Sequence, residues 1–189
     1  MTKEFFLEAT EIAPVIPAAN DEERLEKALK TESPMIYILY GDICNIAGIV
    51  ARVQAAGKKA IVHVDLINGL ATKEIAMDFM AQYVHPDGVI SMKSNLIAHA
   101  NTLGFLTIQR FYLMDVLTYR NVEKHIKIAD PDIVEFMPAG LTKAMGYLMK
   151  NVDRPVVASG LVLDKQDVME VLKIGAVAVS TTNMDVWDC

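Results

Sequence analysis

Short apolar runs alternate with longer amphipathic stretches along the whole chain, and this alternation predicts eight strands and the helices between them. The runs are Ile12 to Pro17, Met35 to Tyr40, Lys59 to Val64, Asp87 to Met92, Gly104 to Gln109, Ile133 to Met137, Pro155 to Ala158 and Ala176 to Val179. Each is too short for a helix and too continuously apolar for a strand with one wet face, so the pattern is that of buried parallel strands. Helices are predicted from Asn20 or Asp21 to Lys30, Ile43 to Ala56, Ala71 to Tyr83, Ser94 or Asn95 to Thr102, Asp115 to Ile128, Leu141 to Lys150, and onward from Asp164. Asp21, Asp115 and Asp164 stand where an N-cap is needed, and Gly57 and Gly175 where a helix must stop. Residues 1 to 10 read as a lead-in helix. Strand starts near 12, 34, 59, 87, 104, 131, 154 and 175 give eight β/α units. That is a TIM-type (β/α)8 barrel, one domain over residues 1 to 189, and a small one, because about 250 residues is typical. A doubly wound open sheet would use fewer units, and no G-x-G-x-x-G follows the first strand.

Composition narrows the class without changing the fold. Apolar residues make up 52 % of the chain, enough for a single core. No run of 18 apolar residues occurs, so no membrane span is expected. Cys44 and Cys189 have no metal or redox spacing, which suits reduced thiols in a cytoplasm. The formal charge of −6 argues against a protein that coats nucleic acid non-specifically. Four of those six negative charges come from residues 1 to 32, so a basic surface can still form on the remainder.

In a barrel, polar residues at the C-terminal ends of the strands converge on one mouth. Here they are Asp42, His63, Asp65, Lys93, Gln109, Arg110 and Glu135. In Lys59-Ala-Ile-Val-His-Val-Asp65, strand alternation places His63 and Asp65 on one face. Such a pair is either part of a site or a satisfied core histidine. Glu135 lies in an otherwise apolar strand and needs a partner, for which Lys93 and Arg110 are the candidates. The last two units end in Ser159-Gly160 and Ser180-Thr181-Thr182, small and hydroxyl-bearing residues side by side, followed by a short helix from Asn183 to Trp187. They either make ordinary turns or form a phosphate cup at the ends of strands seven and eight. Taken by themselves the carboxylates would also serve acid–base chemistry, Lys93 a Schiff base, or Asp42, Asp65 and Glu135 a magnesium ion beside a phosphate. No signature of those chemistries is present, so no catalytic residue, metal or cofactor is assigned.

Seven blocks stand out by their order and wording: VIPA (15–18), HVDLINGL (63–70), GVISMKSNLIAHA (88–100), TIQRFYLMD (107–115), PDIVEFMPAG (131–140), PVVASGLV (155–162) and GAVAVSTTNMDVW (175–187). Together they resemble the glycerol uptake operon antiterminators, the glycerol-3-phosphate-responsive mRNA regulators of bacteria. The resemblance spans nearly the whole chain. It implies a small barrel that binds glycerol 3-phosphate as an effector and prevents premature termination in a glycerol-utilisation leader mRNA. The phosphate would lie on Gly160, Ser180 and Thr181, and the glycerol part would face His63, Asp65, Lys93, Arg110 and Glu135. Where the family often carries arginine and Gly-Gly, this chain has Lys93 and Ser159. The RNA surface has no motif; by charge alone the candidates are Arg120, Lys124, Lys127, Lys143 and Lys150, with Tyr112 and Tyr119 available for stacking. Association with further copies of the chain is compatible with all of this. The alternatives are a triose-phosphate isomerase, aldolase or lyase using the same cup, or a barrel that acts through a protein partner.

Overall fold

The computed structural model describes residues 1–188, which leaves Cys189 outside the described residues. Eight parallel strands close into a barrel in sequence order: β1 (Val15–Ala19), β2 (Met35–Ile38), β3 (Lys59–His63), β4 (Gly88–Ser91), β5 (Leu106–Tyr112), β6 (Ile133–Met137), β7 (Val156–Ser159) and β8 (Ala178–Thr181). The ring closes where Val15 and Ile16 of β1 align with Val179 and Ser180 of β8. Between the strands run α2 (Glu22–Ala28), α3 (Ile46–Ala55), α4 (Ile75–Phe79, extended by a π turn at Met80–Val84), α5 (Ser94–Thr102), α6 (Val116–Ala129), α7 (Thr142–Leu148) and α8 (Lys165–Lys173); α1 (Lys3–Ile12) precedes them.

Local chemistry accounts for most boundaries. Asp21, Asp115 and Asp164 each accept backbone N–H bonds at the start of α2, α6 and α8. At α8 the capping is reciprocal, since Asp167 accepts from the backbone at Leu163 and Asp164. The first strand starts later than its sequence pattern suggests. A helix capped by Thr2 runs through to Ile12, and Pro17 falls inside β1, opposite Thr181 on β8.

Alternation along each strand divides the core in two. Residues facing outward pack under the helices, while Ile16, Met35, Ile61, Ile90, Ile108 and Val157 fill the barrel interior. Phe6 and Ala9 of α1 belong to the interior cluster, and Phe6 is fully buried. Helix α1 is therefore the floor of the barrel, and the strand ends at the opposite rim are left to form a site. Among the described residues no helix is long and apolar enough to cross a membrane.

Candidate functional site

Two residues beyond the apolar layer, the same alternation that buries Ile61, Ile108, Ile133, Val157 and Ala178 delivers His63, Arg110, Glu135, Ser159 and Ser180 to the inside of the barrel. Arg110 and Glu135 lie opposite each other on β5 and β6. The guanidinium donates from Nε to Oε2 at 2.8 Å and from Nη2 to Oε1 at 3.1 Å. Glu135 has no exposure and Arg110 has 4 %. Burial disfavours the Arg110 charge, but the adjacent Glu135 carboxylate outweighs it and holds the guanidinium firmly protonated. Three groups share this interior without a hydrogen-bond partner among the described residues, the Tyr37 hydroxyl, His63 Nδ1 and, towards the rim, Ser159 Oγ. Burial, and then the Glu135 charge, push the Tyr37 hydroxyl well above the ordinary phenol range.

His63 does not pair with Asp65 as strand alternation suggested. The strand ends at His63 and a 3-10 turn follows, Val64–Leu66. This turn rotates Asp65 onto the outer side, where it accepts from Ser91 Oγ at 3.0 Å and Met92 N at 2.7 Å. Nδ1 of His63 stays 3.9 Å from the Asp65 carboxylate. Burial first, then the Arg110 charge, lowers the His63 pKa from 6.5 to about 3. The imidazole is thus neutral in the folded state. A depressed folded-state pKa contributes stability that is complete above the unfolded value of 6.5 and is lost as pH falls towards 3. Through this group the protein is expected to be about 2 kcal/mol less stable at pH 5 than at pH 7. Urea denaturation at the two pH values should show that difference, and His63→Gln should flatten it.

Beyond the ion pair, the strand ends enclose a cavity of about 490 Å³. Ser159, Gly160, Ser180, Thr181 and Thr182 form one side, Arg110 and Met137 another, and Arg24 closes the rim. Ser159 Oγ is buried and has no partner among the described residues. Gly160 has φ +71°, a left-handed backbone that favours glycine, and a Cβ there would lie 2.7 Å from Met137 Cε, so the end of that methionine would have to swing aside. Thr181 is held in place by Asn183 N donating to its Oγ1 at 3.0 Å and Trp187 Nε1 donating to its carbonyl at 2.9 Å. The expected helix after β8 is only a 3-10 turn, Met184–Val186, capped by Asn183.

Arg24 is the residue that sequence reasoning overlooked. It sits in the first turn of α2, half-buried, donating from Nε to the Thr182 carbonyl at 3.1 Å and pairing with Asp21. Because β8 neighbours β1 in a closed barrel, the helix after β1 must pass the tip of β8, and that adjacency is the signal that could have found it. The other expected mouth residues stand apart from the cavity. Asp42 accepts from Cys44 N and Asn45 N in a turn before α3. Lys93 is half-buried at the start of α5, and Glu135 pairs with Arg110 rather than with it. Gln109 points outward and donates to Ser94 Oγ at 2.8 Å. Among the described residues the cavity wall holds no carboxylate, imidazole, amine or thiol, and no group of three potential ligands is placed to hold a metal ion.

Comparison with known proteins identifies the architecture. The family model described as "Glycerol-3-phosphate responsive antiterminator" matches residues 15–187. The chain belongs to this family. It is 37 % identical over 174 residues to the uncharacterised protein YgcP of Escherichia coli, covering 92 % of this chain and 91 % of that one. A solved glycerol uptake operon antiterminator regulatory protein from Listeria monocytogenes superposes with a TM-score of 0.89 at 32 % identity, covering 92 % of this chain and 94 % of that one. A glycerol uptake operon antiterminator-related protein from Thermotoga maritima gives 0.83 at 26 % identity, covering 94 % and 99 %. A deoxyribose phosphate aldolase from Aeropyrum pernix shares the barrel alone, with a TM-score of 0.69 at 12 % identity over 98 % of this chain and 96 % of that one. The chain is accordingly assigned as a glycerol-3-phosphate-responsive antiterminator regulatory protein.

Proposed function

We propose that the cavity between the ends of β7 and β8 is where this regulator reads glycerol 3-phosphate, and that the occupied protein engages leader RNA. One observation carries the binding site: the wall combines hydroxyls, a glycine in left-handed backbone and two guanidinium groups, and contains nothing that accepts a proton at neutral pH. Such a wall can hold an anion and cannot move protons on it. The phosphate rests against Gly160, Ser180 and Thr181, with Arg24 as its counter-charge at the rim. The glycerol hydroxyls meet Ser159 Oγ and the side of the Arg110 guanidinium that Glu135 leaves free. Glu135 holds Arg110 from beneath through the bidentate pair, and neither it nor His63 touches the ligand. RNA and glycerol 3-phosphate strengthen each other's binding, because a ligand shifts RNA affinity only by binding the RNA-competent form more tightly.

Calorimetric titration of the pure protein with glycerol 3-phosphate tests the assignment. Arg24→Ala is expected to weaken binding about 10- to 100-fold, the range for losing one charge-assisted contact. Thermal stability should change little, since Arg24 is partly solvated. Unchanged affinity in that variant would remove Arg24 from the site. A new phosphorus resonance growing during a long incubation with the ligand would contradict the binding-only chemistry.

A further inference from the structure

Helices α6 and α7 leave a groove between them on the outside of the barrel. Two adjoining hollows share Tyr119, Leu141 and Ala144 and so form one continuous surface. Tyr147 stands at one end, 53 % exposed, with Lys150 Nζ 5.3 Å from its ring centroid. Arg120 and Lys143 line the groove, and its one carboxylate, Asp115, is occupied in accepting from Thr118 N at 2.7 Å. No acidic residue occurs from 136 to 152, which sets this face apart from a chain of net charge −6. On the flank, Arg120, Lys124 and Lys127 follow helical spacing and are all exposed.

Tyrosine faces with a flat apolar floor, bordered by cations, match the two halves of an unpaired nucleotide. The base stacks on the ring and floor, and the phosphate meets the rim. A duplex keeps its bases stacked on each other and has no use for the floor. We propose that this groove is the RNA-binding surface and that it takes unpaired bases of a single-stranded segment. The proposal rests on the reading of the chain as a regulator that engages RNA. Position supports it as well. Leu113 N, at the head of the groove, donates to Met137 O at 2.7 Å, and Ala139 N donates to Gly160 O at 2.9 Å. Two hydrogen bonds thus tie the entry into α6 and α7 to the cavity wall.

Fluorescence anisotropy with labelled single-stranded RNAs of about 16 nucleotides, and duplexes of the same length, tests this with and without glycerol 3-phosphate across a salt series. Single strands are expected to bind more tightly than duplexes. Tyr147→Ala should weaken single-strand binding about tenfold with no change in salt dependence. Arg120→Ala with Lys143→Ala should reduce the log–log salt slope by about 1.4, two phosphate contacts on a single strand. Both variants should retain wild-type affinity for glycerol 3-phosphate, which separates this surface from the cavity. If the wild-type chain binds RNA and these variants bind it equally well, the groove assignment is overturned and the RNA reading stands. If the wild-type chain binds no RNA, both fail. Sedimentation in which the chain self-associates and Tyr147→Ala dissociates it would assign the groove to a second copy instead.

Discussion

Replacing Glu135 with alanine is expected to cost about 3–5 kcal/mol of folding stability, because it strands the Arg110 guanidinium inside the barrel without its carboxylate. For a chain of this size that lowers the melting temperature by roughly 10 °C. The cause is the bidentate pair at no more than 4 % exposure, where water cannot replace the lost partner. A double replacement, Arg110→Met with Glu135→Met, should recover much of the loss, since a buried ion pair exchanged for apolar side chains is often near neutral. The single variant has a further signature. Its unpaired guanidinium faces the cavity, so glycerol 3-phosphate should raise its melting temperature by more than it raises that of the wild type. Differential scanning calorimetry of the three proteins with and without ligand reads both effects. A loss below 1 kcal/mol in Glu135→Ala would show that the pair is not sealed from solvent.

The second large effect is expected at Gly160. Valine there combines two penalties: a β-branched residue forced to φ +71°, and a side chain in a space where even a Cβ comes within 2.7 Å of Met137 Cε. Strain of this kind costs about 1–3 kcal/mol. The effect on the ligand is larger, because the branched side chain must move either Met137 or the segment carrying Ser159 and Leu161, all of which line the cavity. Affinity for glycerol 3-phosphate is expected to fall at least about 100-fold, as when a well-formed anion site loses its backbone approach. Calorimetry gives the affinity, and circular dichroism checks that the barrel persists. Near wild-type binding in folded Gly160→Val would place the phosphate elsewhere.

The barrel could be read from the sequence because a buried parallel strand needs little more than four or five apolar residues, and each of the eight runs supplies them. Helix starts were legible wherever an aspartate caps them, as at Asp21, Asp115 and Asp164. Strand ends were less so. β5 continues through Arg110 to Tyr112 because Phe111 and Tyr112 extend the apolar run, which moves Arg110 from the rim into the wall. The pairing of His63 with Asp65 assumed that the strand runs on through Asp65, two residues past its end, and Asp65 instead falls in a 3-10 turn. Asp42 looked like a mouth carboxylate, but an aspartate after a strand is equally suited to closing a turn, and only three-dimensional placement distinguishes the two. Ser159, Gly160, Ser180 and Thr181 do come together at one cavity, since small residues after adjacent parallel strands have nowhere else to go. Arg24 was invisible for the opposite reason. A charged residue in the first turn of a helix reads as solvated until the closure of β8 onto β1 brings the Thr182 carbonyl to it.

The closed wall also bears on how the protein responds to its metabolite. Eight strands hydrogen-bonded in an unbroken ring, with a floor helix below and a buried ion pair within, leave little in the barrel itself that can take up a second arrangement. Any difference between the empty and occupied forms is expected at the tips beyond the strands, carried by contacts such as Ala139 N to Gly160 O. Coupling through a few such contacts amounts to about 1–3 kcal/mol. Turning a two-state population from almost all off to almost all on needs about 5.5 kcal/mol. A single chain with one such ligand site is therefore expected to behave as a rheostat: its output would follow the metabolite concentration smoothly across about two decades, without a threshold.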